Sequence, residues 1–388
     1  MTPEAMAYLN EALDYIQEYS VMRDRIDWST LRQEAYDMVA DAQNSAETYP
    51  AIKHALERLG DRHSHLTEPV QDQQITTGMY NFVGIYALYP EGVIGAIHPG
   101  SPAEAAGVQV GDRIESINHQ PVAQLTQSQF RASLWSSPLD LTLSDDGKRG
   151  TYSVHLEATP ISLWIPPRGQ RLASGIGYLD LPSHTGTSEQ NATYAVTVQN
   201  IIREVDTHPI CGWVVDLRRN TGGHLWPMLA GVGPIVGEGT CIYFVYPDKR
   251  TAGSYRKGQA LGEFAEEFTE VHEPYELKHA GPPTAVLTSP LTASSGEFIA
   301  LAFCERSHSR SFGEPTRGVP TSNESKVLSD GARVILTTAL GANRTGQSYD
   351  SPLLPDQHVK IDWRQLGTSQ DPVLQAALEW LQLETGCM

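Results

Sequence analysis

Residues 284–297 read TAVLTSPLTASSGE, and residues 212–224 read GWVVDLRRNTGGH. Each is a short apolar run that breaks into a polar turn, the signature of a buried strand feeding a loop. Around them, residues 176–181 and 285–288 also read as strands, with helical patterns over 190–206, from Ser294 onward, and from the Asp371-Pro372 cap to Leu383. Strands alternating with helices make an α/β core. The two turns carry groups suited to chemistry. Adjacent glycines, Gly222 and Gly223, expose backbone N–H groups and accept conformations closed to other residues, which suits an oxyanion site, although a plain tight turn uses the same pair. Adjacent serines, Ser294 and Ser295, stand at a helix start. There a hydroxyl is either a nucleophile aided by helix-terminal N–H groups or a simple cap.

Upstream of this core the texture changes twice. Met6, Leu9, Leu13, Ile16 and Tyr19 fall at helical spacing over 3–20. A second helix is expected after Ser29 as its cap and a third over 48–59, ending at Gly60. This gives an N-terminal helical segment, 1–75, that ends in GDRHSHL at 60–66. From about 80 to 160 come short β-like runs, with a hairpin signal at Asp145-Asp146-Gly147-Lys148. The string GSPAEAAGVQVGDRIESINHQPV within it resembles a PDZ domain. That likeness implies a groove receiving an extended peptide by strand addition; a structural insert with a blocked groove is the plainer alternative. Trp164-Ile165-Pro166-Pro167-Arg168-Gly169 reads as a linker into the core, 170–388.

Composition narrows the function. The 388 residues fit two or three domains, and 46 acidic against 28 basic residues give a formal charge of −18. Such a balance disfavours a nucleic-acid binder. No run reaches the roughly 18 apolar residues of a spanning helix, so no membrane insertion is expected. The start lacks the basic and apolar regions of a signal peptide. With Cys211, Cys241, Cys304 and Cys387 far apart, the expectation is reduced thiols in a cytoplasmic protein, a processed mature form remaining compatible. No segment calls for a metal or an organic cofactor.

The ordered set GDRHSHL, PDZ-like insert, GIGYLDLPS, VVDLRRNTGG, TASSGE, GEPTRG and LLPD resembles the S41 serine peptidases, the carboxyl-terminal processing or tail-specific proteases and their tricorn-like branch. The likeness implies a ClpP/crotonase-like core that cleaves peptide bonds without metal or ATP. It makes Ser294 the nucleophile, with Ser295 as competitor, and Gly222 or Gly223 with the Ser295 amide the oxyanion donors. Asp216 and Arg218 are expected to hold the loop.

The Ser–Lys members carry lysine just after a Gly-Glu-Pro-Thr-x-Gly run. Here Val319 and Pro320 follow Gly318, and Lys326 lies farther on in what reads as a surface loop. The tricorn-like branch uses a histidine, which matches His63; His65, two residues on, should face the other way. Asp350 is the first candidate to orient that histidine and Glu297 the second. Where that branch has a serine before the histidine this chain has Arg62, which could bind a substrate carboxylate or pair with Asp61 or Glu57. His224, after Gly223, is expected to line the cleft.

The function expected is a serine peptidase acting through an acyl-enzyme on peptide or protein substrates, compatible with a homo-oligomer. Two alternatives stand beside it. The same serine could serve an acyl-transfer enzyme, cyclase or esterase, or the chain could be a catalytically lapsed PDZ peptide-binding protein.

Overall fold

The computed structural model describes residues 1–69, 78–145, 150–173, 175–207, 210–263 and 268–386. Its core sheet runs in the order Arg168–Arg171, Gly177–Asp180, Trp213–Asp216, Thr284–Thr288, Ser309–Gly313, Gln357–His358. All neighbours are parallel except the first pair. Helices Ser188–Val205, Leu225–Val236 and Ser295–Phe303 follow strands of this sheet and bury apolar faces in one cluster with Leu179, Val215 and Val286. Pro372–Thr385 covers the other face, through Val373, Leu374, Ala377 and Leu381 against Val214, Ala285 and Leu287. Strands buried on both faces explain the unbroken apolar runs seen in the sequence. The expected α/β class holds, and in such a sheet sites form beyond the carboxyl ends of the strands.

A second, antiparallel sheet is organised by the long strand Arg333–Ala342. It pairs with His65–Thr67, with Thr321–Val327 and with Gly239–Val245. The three N-terminal helices, Pro3–Tyr19, Trp28–Met38 and Tyr49–Arg58, pack on this strand through Leu328, Val334 and Leu336. Tyr8 and Tyr49 both donate to the Asp330 carboxylate, at 2.6 Å each, and fasten the helices to the turn before the strand. The stripe is centred differently from the expectation: Ala5, Tyr8 and Ala12 are buried while Met6 and Tyr19 are exposed. Asp27, not Ser29, caps the second helix, accepting from Ser29 and Thr30 N–H groups.

The inserted domain has its own core around Phe82, Ile114, Phe130 and Leu141. Its outer strands Met79–Phe82 and Thr159–Ser162 pair with each other and close the insert. Strand Leu139–Asp145 pairs with Gly150–Leu156, while the turn called from Asp145 to Lys148 lies mostly outside the described residues. The insert sits directly on the core. A Cβ at Gly95 would stand 2.7 Å from Leu291, and Arg364 pairs with Asp145 at 2.8 Å.

Three further readings need correction. The 164–169 segment is no free linker, because Trp164 packs on His184 and Tyr194, and Arg168–Arg171 joins the core sheet. Lys326 belongs to a strand and pairs with Glu11 at 3.3 Å. Cys211 is disulfide-bonded, whereas Cys241 and Cys304 are free. The reading of reduced thiols therefore fails at Cys211 and holds at Cys241 and Cys304.

Candidate active site

Parallel register puts Asp216 beside Leu287, so the loops leaving these two strands lie side by side at the carboxyl edge. They are laced together by backbone and hydroxyl bonds. Ser289 Oγ donates to Arg218 O, Thr292 Oγ1 to Leu217 O at 2.8 Å, and Ala293 N to Asn220 O at 3.0 Å. Beneath them Arg218, fully buried, pairs with Asp216 at 2.6 Å and with Asp371 at 2.8 Å. Asp216 and Arg218 thus hold the loop.

At the top of this lacing Ser294 takes φ 52°, ψ −120°, a conformation rare for a residue with a side chain. It is the N-cap of Ser295–Phe303, so its hydroxyl stands on a sharp strand-to-helix turn at a helix N-terminus. Ser295 is buried and spends its hydroxyl on Gly223 O at 2.6 Å. That commitment separates the two serines: Ser295 ties the glycine loop to the helix, while Ser294 stands on the sharp turn itself.

Gly222 and Gly223 have φ 106° and 111°. A Cβ on Gly222 would stand 2.8 Å from the Ser294 Cβ, and one on Gly223 would collide with His184 O at 2.0 Å. The two glycines differ in what their N–H groups do. Gly222 N–H donates to Asn220 Oδ1 at 3.0 Å. Among the described residues the N–H groups of Gly223 and Ser295 have no partner. Two unengaged donors on either side of Ser294 are what a developing oxyanion requires.

Glu297 is fully buried and accepts from four donors: Ser294 N at 2.9 Å, Thr316 Oγ1 at 2.5 Å, Gly318 N at 2.9 Å and Val319 N at 3.0 Å. Burial pushes its carboxyl up, and these donors oppose the rise. With its oxygens so engaged it does not orient a histidine. It fixes the Ser294 turn against the 316–319 loop.

His63 lies at the neighbouring edge. Its Nδ1 meets Thr321 Oγ1 at 2.7 Å, and the Thr321 hydroxyl lies 3.5 Å from Val319 O. The arrangement that satisfies both has Thr321 accepting Nδ1–H while donating to Val319 O, which leaves Nε2 bare as a proton acceptor. Burial lowers the ring to about 3, helped by the charges of His65, Arg317 and Arg131. No hydrogen bond joins His63 to Ser294 among the described residues, but Thr321 and Ser294 line one cavity of about 830 Å³. Catalytic bonds are often long before substrate binds. His65 is exposed.

Asp350, the expected orienter, does not bond His63. It is half-exposed, lies 3.9 Å from Arg25, and shares with Thr321 a small cavity of about 110 Å³ behind the site. Thr321 takes the place assigned to a carboxylate, two residues past the Val319 that excludes a lysine base. Arg62, at φ 62°, pairs with neither Asp61 nor Glu57 and donates to Gly318 O at 2.8 Å. His224 lines the cavity and its Nε2 meets Gly186 O at 3.1 Å. Trp226, Phe244 and Phe298 form the apolar part of the same cavity. Among the described residues no group of three or more His, Cys, Asp or Glu could hold a metal ion.

This geometry has relatives. Residues 175–359 match the profile of peptidase family S41, and residues 93–133 match a PDZ domain. The S41 match takes in both the Gly222–Gly223 loop and the Ser294–Ser295 turn. A carboxyl-terminal-processing protease of Synechocystis is 26% identical over 98% of this chain and 89% of its own length. The nisin-resistance protein of Lactococcus lactis is 33% identical over 46% of this chain, which spans 54% of that protein. Among solved structures, a photosystem II D1 C-terminal processing protease superposes with a TM-score of 0.67 at 22% identity, covering 97% of this chain and 98% of its own. That last likeness carries the fold.

Proposed function

We propose that this chain is an S41-type serine endopeptidase that cuts protein or peptide substrates toward their carboxyl ends through a Ser294–His63 pair. One observation carries the reading: Ser294 is held at φ 52° on a helix N-terminus between two unengaged N–H groups, those of Gly223 and Ser295. The processing-protease names of full-length relatives support the substrate class.

The chemistry runs in two halves. His63 Nε2 takes the Ser294 proton as Oγ attacks the scissile carbonyl, and the two N–H groups hold the oxyanion. Collapse breaks the C–N bond as His63 returns the proton to the leaving amine. Water then enters, His63 takes its proton, and the acyl-enzyme is released with Ser294 restored. Loss of one oxyanion donor costs about 2.7–4 kcal/mol of transition-state stabilisation.

Fluorophosphonate labelling followed by intact-protein mass tests the assignment. A single adduct is expected on the wild type, none on Ser294→Ala and little on His63→Ala. An adduct that persists in Ser294→Ala sinks the nucleophile assignment, and no adduct on the wild type points to a peptide-binding protein instead.

A further inference from the structure

The loop that carries Gly222 and Gly223 is gripped from two sides. The 289–293 turn holds it on one, and residues 181–184, which follow the strand Gly177–Asp180, hold it on the other. Asn220 Nδ2 donates to Leu181 O at 3.0 Å, and Thr221 N to Ser183 Oγ at 2.7 Å. His184 then forms a parallel bridge to Gly223. Its N–H donates to Gly222 O at 3.2 Å, and its carbonyl accepts from His224 N at 2.7 Å.

The bridge has a direction. Gly222 O and Gly223 N–H belong to one trans peptide, so they point opposite ways. With that carbonyl turned to His184, the Gly223 N–H faces away from it. The next peptide shows which side this is: His224 N–H turns to His184, and Gly223 O, on the opposite side, meets Ser295 Oγ at 2.6 Å. A flipped 222–223 peptide would instead present a carbonyl to the developing oxyanion.

The side chain of His184 holds its main chain in place. It is fully buried, stacked on Tyr194 at 4.4 Å between ring centres, with Trp164 edge-on at 6.1 Å. Its Nε2 meets Asn191 Oδ1 at 2.8 Å, whereas Nδ1 has no partner among the described residues. Asn191 and Tyr194 share one face of the helix Ser188–Val205, and Tyr194 also donates its hydroxyl to Pro182 O at 2.8 Å. Burial takes the ring down to about 4. It is therefore neutral near pH 7 and acts through its shape and one hydrogen bond.

We infer that His184 is a positioning residue for the oxyanion step: its main chain sets the Gly222–Gly223 peptide so that Gly223 N–H faces Ser294, and its ring, tethered to Asn191, sets the main chain. His184 does not line the cavity that holds Ser294, so its effect passes through the loop. The inference rests on the peptidase reading for its catalytic readout alone.

The test compares the wild type with Asn191→Ala, His184→Gln and His184→Asn on one cleaved peptide. Asn191→Ala removes the tether while adding a better helix former, so the fold should stand. In His184→Gln an amide donor reaches the Nε2 position, whereas in His184→Asn it stops near Nδ1, away from Asn191. The oxyanion forms after binding. Asn191→Ala and His184→Asn should therefore lose about tenfold or more in kcat, toward the roughly 10²–10³ of a missing donor, with KM within about twofold. His184→Gln should recover part of the loss, and a thermal melt separates lost fold from lost aim. An unchanged kcat in Asn191→Ala overturns the inference. So does a loss confined to KM, or an equal kcat in the Gln and Asn variants.

Amide hydrogen exchange resolved to single residues reads the same lock without turnover. In the wild type His224 N–H should exchange slowly and Gly223 N–H fast, and in Asn191→Ala the His224 rate should approach that of Gly223. If no peptide is cut, the peptidase reading has failed and this comparison decides alone. A faster His224 in the variant upholds the lock, and equal protection in both proteins ends it.

Discussion

His63 is held by a hydroxyl where a carboxylate was expected, and the exchange changes the acid behaviour of the site. A carboxylate would stabilise the imidazolium and raise its pKa, whereas Thr321 is neutral and Arg317 and Arg131 lie close by. Burial and those charges take the ring to about 3. The base form of His63 is the neutral one, so a lowered pKa keeps it competent as the pH falls. The acid limb of kcat/KM should therefore lie well below the 6.5 of an ordinary histidine, with activity at pH 5 close to that at pH 7. A profile on a peptide without titrating groups checks this, and an acid limb centred near 6.5 would show an unperturbed base. Thr321 was not legible because the sequence offered a conspicuous carboxylate, Asp350, in the expected segment. The threonine comes from a strand whose register on Arg333–Ala342 is set by tertiary pairing.

The helix Ser295–Phe303, which starts at Ser294, works as an element through its third residue. Glu297 faces inward, and its carboxylate gathers Ser294 N, Thr316 Oγ1, Gly318 N and Val319 N, so one side chain sets the turn, the loop carrying Arg317 and the approach to Thr321. Glu297→Gln offers a single oxygen and brings two N–H donors against groups that are themselves donors. At least one buried donor is left unmade, at about 1–3 kcal/mol each. The expected outcome is a lower denaturation midpoint together with slower fluorophosphonate labelling per folded molecule. Unchanged labelling with lowered stability would confine Glu297 to packing.

Much of this element and its neighbours was readable from local signals. Apolar runs ending in Ser-Ser and Gly-Gly marked the strand edges, and Asp371-Pro372 marked the closing helix. What local sequence could not supply was the division of labour inside each pair. It depends on how the loop folds so that Asn220 takes the Gly222 N–H, and on Gly223 O taking the Ser295 hydroxyl from 72 residues away.

At the scale of the molecule, the Gly222–Gly223 loop, the core sheet and the carboxyl-terminal helix are joined by one buried charge trio. Arg218 bridges Asp216, at the end of a core strand, and Asp371, the N-cap of Pro372–Thr385, and Arg218 O receives Ser289 Oγ below the nucleophile turn. Burial opposes ionisation of Asp216, but Arg218 outweighs it and holds the carboxyl below its usual range. Arg218→Met removes the cation and strands two buried carboxylates. Breaking a buried pair in this way costs about 3–5 kcal/mol, and the loss should appear in the denaturation midpoint at pH 7. Its dependence on pH has a definite sign. In the wild type Asp216 has a folded pKa below its unfolded value, so its contribution is present above the unfolded value and lost as the pH falls through the folded one. In Arg218→Met the burial of Asp216 is opposed only by the Tyr178 hydroxyl and the backbone N–H of residue 218, so the folded pKa moves up and protonation relieves the variant as the pH falls. The stability gap between the two proteins should therefore narrow from pH 7 toward pH 4. A gap that stays constant over that range would mean the carboxylates find water or another partner when Arg218 is gone. Because the same loop carries the Gly223 N–H, labelling of Ser294 should fall in the variant even in the fraction that remains folded.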